Sequence, residues 1–137
     1  MPLTRFSISV DSKLIERFDT KIKTEKCPTR SKAIGDLIRA SLVKDEWKYG
    51  EEVAGAIVLL YDHHKRNIVE KITDLQHDYN DNIISTQHIH LDHDNCLEIV
   101  AVKGKANRIK EIESVLKSVK GLKHCSLAAT STGKELA

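Results

Sequence analysis

A chain of 137 residues, 40% hydrophobic and 31% charged, has the makeup of one or two folded soluble domains, and no apolar run approaches the roughly 20 residues that span a bilayer. Three cysteines, Cys27, Cys96 and Cys125, are too few and too scattered for a disulfide framework, which points to a reducing compartment. The net charge of +2 hides an asymmetry: residues 1–48 hold 11 lysines and arginines against 7 acids, and the remainder holds 11 against 13, so a polyanionic partner is expected for the N-terminal third alone.

The opening MPLTRFSISVD places Arg5 and alternating serines where a secretion signal needs an apolar block, so a cytoplasmic protein without a membrane partner is expected. From Leu3 to Val10, apolar Phe6, Ile8 and Val10 alternate with Arg5, Ser7 and Ser9, the period of a strand. Asp11 can accept from the free amides of a following helical turn, and Leu14, Ile15, Phe18 and Ile22 recur at helical spacing after it. Pro28 disfavours helical geometry at Cys27 and ends that helix. Thr29 or Ser31 caps a second helix, whose stripe of Ala33, Ile34, Leu37, Ile38 and Leu42 runs toward Trp47.

A segment this short with one strand buries too little apolar surface to fold alone, and a single strand leaves its backbone unpaired. Pairing two copies of residues 3–10 antiparallel solves both problems: Phe6, Ile8 and Val10 enter a shared core, and Arg5, Ser7 and Ser9 face outward. A two-stranded ribbon fits the major groove of DNA, where Arg5 can make two hydrogen bonds to guanine and Ser7 and Ser9 can donate or accept. Amides and hydroxyls around Thr29, Arg30 and Ser31, at a helix N-terminus, suit a backbone phosphate. Arg5 and two serines would also make an ordinary wet strand face; the dimer and the local positive charge favour double-stranded DNA.

The Gly- and Glu-containing stretch at residues 49–52 reads as a connection between a first domain, 1–48, and a second, 53–130, with 131–137 as a tail. In the second domain, VAGAIVLLY is a strand, Ile68, Val69, Ile72, Leu75 and Tyr79 mark a helix, and IISTQHIHLD alternates again. CLEIVAVKG, ended by Gly104, is a third strand; a helix ended by Gly121 and the strand LKHCSLAAT follow. The order βαββαβ is that of a ferredoxin-like sheet, so the whole chain reads as α+β.

QHIHLDHDNC, residues 87–96, carries the chemistry. His88 and His90 are two apart in a strand and project from one face about 7 Å apart. With residues 91–95 as the hairpin loop, Cys96 lies opposite His90 on that same face. His77, near the end of the preceding helix, is the natural fourth donor, from the same chain or another. Three imidazoles and a thiolate suit zinc, copper or nickel and fit magnesium or calcium poorly. His93 reads as an exposed loop residue, His63 and His64 as the opening of a helix, and His124 and Cys125 as strand neighbours on opposite faces.

With both halves in view, the chain resembles the NikR family of nickel-responsive repressors. RFSISVD and RSKAIGDLIR resemble its ribbon-helix-helix domain; LQHDYND, HIHLDHDNCLE and VKG resemble its ACT-type regulatory domain, with the spacing H-x10-H-x-H-x5-C present without a gap. The resemblance implies one Ni(II) per chain in a planar site of His88, His90 and Cys96, completed by His77 across an interface. It implies support from Gln76 and Glu98, with Tyr61 and His63 close by. It further implies a homotetramer, a dimer of dimers, binding a palindromic operator and controlling nickel uptake. One departure is Lys32, where relatives often carry an acid that forms a cation site with the residue matching Asp36. A metal hydrolase is disfavoured because four donors leave no open position for water. Copper- or zinc-responsive regulators are the nearest rivals, and an amino-acid-responsive one would leave the histidines unexplained.

Overall fold

The computed structural model describes residues 2–136 and divides them into two compact units, the first reaching Leu42 and the second spanning Val43–Glu135. In the first unit, α1 runs Ser12–Thr24. The Asp11 carboxylate caps it, accepting from the Lys13 and Leu14 amides at 2.9 and 3.3 Å, and Lys21 and Lys23 complement the helix dipole in its last turn. Lys26 closes the helix in the left-handed region (φ 57°) while the Cys27 amide donates back to the Ile22 carbonyl at 2.8 Å.

Helix α2, Arg30–Lys48, begins where Thr29 Oγ1 accepts from the Lys32 amide at 3.1 Å, so Thr29 is the cap and Ser31 lies inside the helix. Residues 2–11 form no helix or strand in the single chain. A strand exists only by pairing, and the alternation expected over residues 3–10 is left with Phe6 68%, Ile8 59% and Val10 40% exposed. These side chains line two open grooves of about 580 and 560 Å³, together with Leu14, Phe18, Ile34 and Ile38.

The second unit is a four-stranded sheet in the order β2-β3-β1-β4, every neighbouring pair antiparallel. Its elements are β1 (Glu52–Tyr61), α3 (Arg66–Asp78), β2 (Ile83–His90), β3 (Cys96–Lys105), α4 (Ala106–Lys117) and β4 (His124–Ser131). Val53, Ile57, Leu59 and Tyr61 of β1 and Val100 and Val102 of β3 pack with Ile68, Ile72, Ile109, Ile112 and Leu116 of the two helices. Period-2 strands thus meet period-3.6 helices over one buried face. Trp47 joins this core, its indole donating to the Thr130 carbonyl at 2.8 Å, which explains why the second unit starts inside α2 rather than at the glycine-containing connection.

Gly121, in the turn after α4, has φ +91°, and a Cβ there would lie 2.7 Å from Ile68 Cδ1. Gly121→Ala is expected to destabilise the second unit by about 1–2 kcal/mol, from left-handed strain alone, as a lowered urea midpoint with unchanged slope. An unchanged midpoint would show that the turn relaxes freely. No helix among the described residues is long and apolar enough to cross a membrane.

Candidate metal centre

Antiparallel register brings the histidine hairpin together. His90 pairs with Cys96, which pairs in turn with Tyr61, and His88 pairs with Glu98. The Leu91 amide donates to the Asn95 carbonyl at 2.9 Å and closes the loop 91–95. Asp92 fills that loop by accepting from the Asp94 amide and the Asn95 side chain. In β3, Cys96 and Glu98 alternate in phase with Val100 and Val102, so they point to the helix-covered face; His88 and His90 share it from the edge strand.

Cys96 and Glu98 are each 1% exposed, whereas the His88 side chain is 53% exposed. A buried carboxylate needs donors, and Glu98 has two. The Tyr61 hydroxyl donates at 2.8 Å and the Gln76 amide reaches from α3, while His88 Nε2 lies 3.1 Å away. Burial, reinforced by the Glu98 carboxylate, holds the Tyr61 phenol far above its ordinary value, so this hydroxyl stays a donor. The His88 ring is turned onto this network, with Nδ1 3.4 Å from the Tyr61 hydroxyl.

His77 is exposed in the last turn of α3. Its neighbour Gln76 is aimed at Glu98. Successive helical residues diverge by about 100°, so the His77 ring does not follow Gln76 toward Glu98.

His63 lies in the turn after β1, its ring centroid 4.4 Å from that of His90 and 4.1 Å from that of His64. Desolvation, with His64 and His90 adding to it, lowers the His63 pKa from its ordinary value. His63 and His64 precede α3 rather than opening it, since the helix begins at Arg66. Among the described residues, two trios bring ligand atoms within 4.8 Å of one another: Asp62, His63 and His64, and His64, His93 and Asp94. His88, His90 and Cys96 share a face but are not gathered to that distance, the His88 ring being held by Glu98. Two imidazoles and a buried thiol on one face, one imidazole fixed by a carboxylate, are nevertheless a donor set that fits a borderline metal such as nickel.

Sequence reasoning missed the gathering of Asp62, His64, His93 and Asp94. Its signal was the repeated Asp-His pattern of DHH and DHD, and only the pairing of β1 with β3 shows that these stretches meet.

In the first unit, Arg5, Ser7 and Ser9 are all exposed. The Arg30 guanidinium is held by Asp19 through two hydrogen bonds of 2.8 and 2.6 Å. This pair raises the arginine pKa and lowers that of the acid. What residues 29–31 offer a phosphate is therefore chiefly backbone amides, with Arg30 fixing α2 against α1. Lys32 places its ammonium 2.7 Å from Asp36 Oδ2, so that acid already has a cation within the chain.

Known proteins match both units. The family described as NikR C terminal nickel binding domain matches residues 54–130, and that described as ribbon-helix-helix protein, copG family, matches residues 4–45. A protein of Pyrococcus abyssi is 53% identical over 137 residues, 99% of each chain, and one of Syntrophus aciditrophicus is 52% identical over 132 residues, 96% of each. A third, from Chlorobaculum tepidum, is 53% identical over 129 residues, covering 94% of this chain and 96% of its own. All three carry the name "Putative nickel-responsive regulator". An uncharacterized protein of Thermotoga maritima shares the fold, with a TM-score of 0.52 at 10% identity, over 58% of this chain and 98% of that one.

Proposed function

Because this chain belongs to the NikR family of nickel-responsive regulators, we propose that it is a cytoplasmic, non-enzymatic repressor whose operator binding is promoted by one Ni(II) per chain. His88, His90 and Cys96 of one chain and His77 of another hold the metal. The observation that carries this reading is the register His90 to Cys96 to Tyr61, which sets an imidazole beside a buried thiol. Glu98, 3.1 Å from His88 Nε2, orients that ring from behind. Gln76 and Tyr61 hold Glu98, and the His63 ring lies tilted against that of His90.

Sharing the site makes nickel an organiser of the assembly. Half-exposed Val58, Leu60, Ile89, Leu97 and Ile99 on the far side of the sheet supply apolar surface for further copies in a dimer of dimers. In the first domain, residues 1–48, two copies of residues 3–10 pair as a ribbon whose Arg5, Ser7 and Ser9 read a palindromic operator. The amides of Thr29, Arg30 and Ser31 fix register on phosphate. Residues 49–51 then connect to the regulatory domain, whose sheet runs from Glu52 to Ser131. Nickel changes DNA affinity only by binding one arrangement of these domains better than another. Repression of nickel uptake genes is the matching output.

Arg5→Ala should weaken operator binding by about 10- to 100-fold, the worth of one two-bonded base contact, with nickel stoichiometry unaltered. Fluorescence anisotropy at fixed salt measures this, and an unchanged affinity would remove Arg5 from base readout. Zinc and copper suit the same donors. Titrating each metal into the metal-free protein separates the readings by whether operator affinity responds to nickel.

A further inference from the structure

Helix α2 changes character along its length. Leu37, Ile38 and Leu42 are exposed in the single chain, whereas Val43 packs against the core of the second unit and Trp47, 7% exposed, belongs to it. Polar groups hold the same end. The Trp47 indole donates to the Thr130 carbonyl at 2.8 Å, the Lys110 ammonium donates to the Trp47 carbonyl at 3.2 Å, and the Ser131 hydroxyl donates to the Glu46 carboxylate at 3.0 Å. The Trp47 carbonyl is among the last four of α2, which lack partners inside the helix, so Lys110 satisfies it and complements the negative end of the helix dipole. The main chain continues the attachment: the Glu51 amide donates to the Glu46 carbonyl and the Ala106 amide to the Glu51 carbonyl, both at 2.9 Å. Residues 43–51 are thus tied to β4 and α4, and the glycine-containing connection is not a free joint.

We propose that Trp47 is a positioning residue for the nickel response: by rooting the end of α2 in the regulatory core, it makes that helix the route along which nickel binding alters operator affinity. The inference rests on the nickel-responsive reading above. Helix α2 is a single element of 19 residues without proline, and its other end carries the amides assigned to phosphate at residues 29–31. Coupling needs an element that both sites bias. With its end rooted, α2 receives any change in the regulatory sheet; with its end released, helix and sheet move independently and the two binding equilibria uncouple.

Trp47 is the chain's single tryptophan, so its own fluorescence reports the root. In the full chain its emission should stay blue-shifted and shielded from acrylamide without metal, with nickel, and with nickel and operator together. Quenching at the level of free tryptophan in any of these states would overturn the root. Operator affinity is then measured without metal and with one equivalent of nickel per chain. Trp47→Ala should shrink the nickel-dependent tightening by about 2- to 30-fold, the span typical of residues that carry coupling without touching either ligand, with nickel stoichiometry and the thiolate charge-transfer band as in the wild type. Trp47→Phe keeps a ring in the core and loses the bond to Thr130; its tightening should fall between the two, and it carries the test if Trp47→Ala fails to fold. Tyr49→Ser, at an exposed side chain in the connection, should retain the full tightening. Full tightening in the folded Trp47 variants, or an equal loss in Tyr49→Ser, would overturn the role of Trp47. A wild type whose operator affinity ignores nickel would overturn the nickel-responsive reading itself, an outcome told apart because it needs no substitution.

Discussion

Cys96→Ala is expected to remove the thiolate charge-transfer band and weaken tight nickel binding by more than about 100-fold, above the 10- to 100-fold that losing a supporting residue costs. Cys96 is the anionic donor of the proposed set, and its 1% exposure keeps competing water from the sulfur. The substitution removes one atom from a core otherwise built of Ile57, Leu59, Val100 and their neighbours, so the sheet should persist with only a small loss of stability. Competition against a chelator of known affinity, with circular dichroism to follow the fold, measures both. Tight nickel binding that survives the change would return QHIHLDHDNC to an ordinary hairpin and leave a DNA-binding protein with another effector.

Glu98→Gln is expected to weaken nickel binding by about 10- to 100-fold, the usual effect of losing a carboxylate that orients a metal-binding histidine. In the native chain the carboxylate accepts from Tyr61 and Gln76 and lies 3.1 Å from His88 Nε2. An amide offers a single acceptor oxygen and turns two of its own donors toward groups that also donate. His88 then loses the carboxylate beside its ring, and one buried donor goes unpaired, with a stability loss of about 1–3 kcal/mol. Chelator competition and urea denaturation separate the two effects. Unchanged nickel affinity alongside lowered stability would make Glu98 a purely structural residue.

Where local patterns decide the structure, the sequence was legible. Asp11 before Leu14 and Ile15 marked the start of α1, and the apolar alternation of VAGAIVLLY marked β1. The five residues from Leu91 to Asn95 set the hairpin register that puts Cys96 opposite His90. Glu98 could be placed from periodicity too: it is the one charge at an inward position of CLEIVAV, between Cys96 and Val100. The limits were non-local. Trp47 reads as the tail of one helix but packs in the second core, which moves the start of that unit to Val43. The meeting of Asp62, His63 and His64 with His93 and Asp94 depends on which strands are neighbours. Residues 3–10 have a strand's pattern, yet pairing requires a second strand that their own chain does not supply.

The most direct test of the account is the affinity of the wild-type protein for its operator, measured without metal and with one equivalent of nickel per chain at fixed salt. Coupling between a metal site and a DNA site through an assembly typically amounts to about 5- to 150-fold. Operator binding should tighten by that order with nickel, and by reciprocity nickel binding should tighten equally when operator DNA is present. Equal operator affinities with and without bound nickel would contradict it.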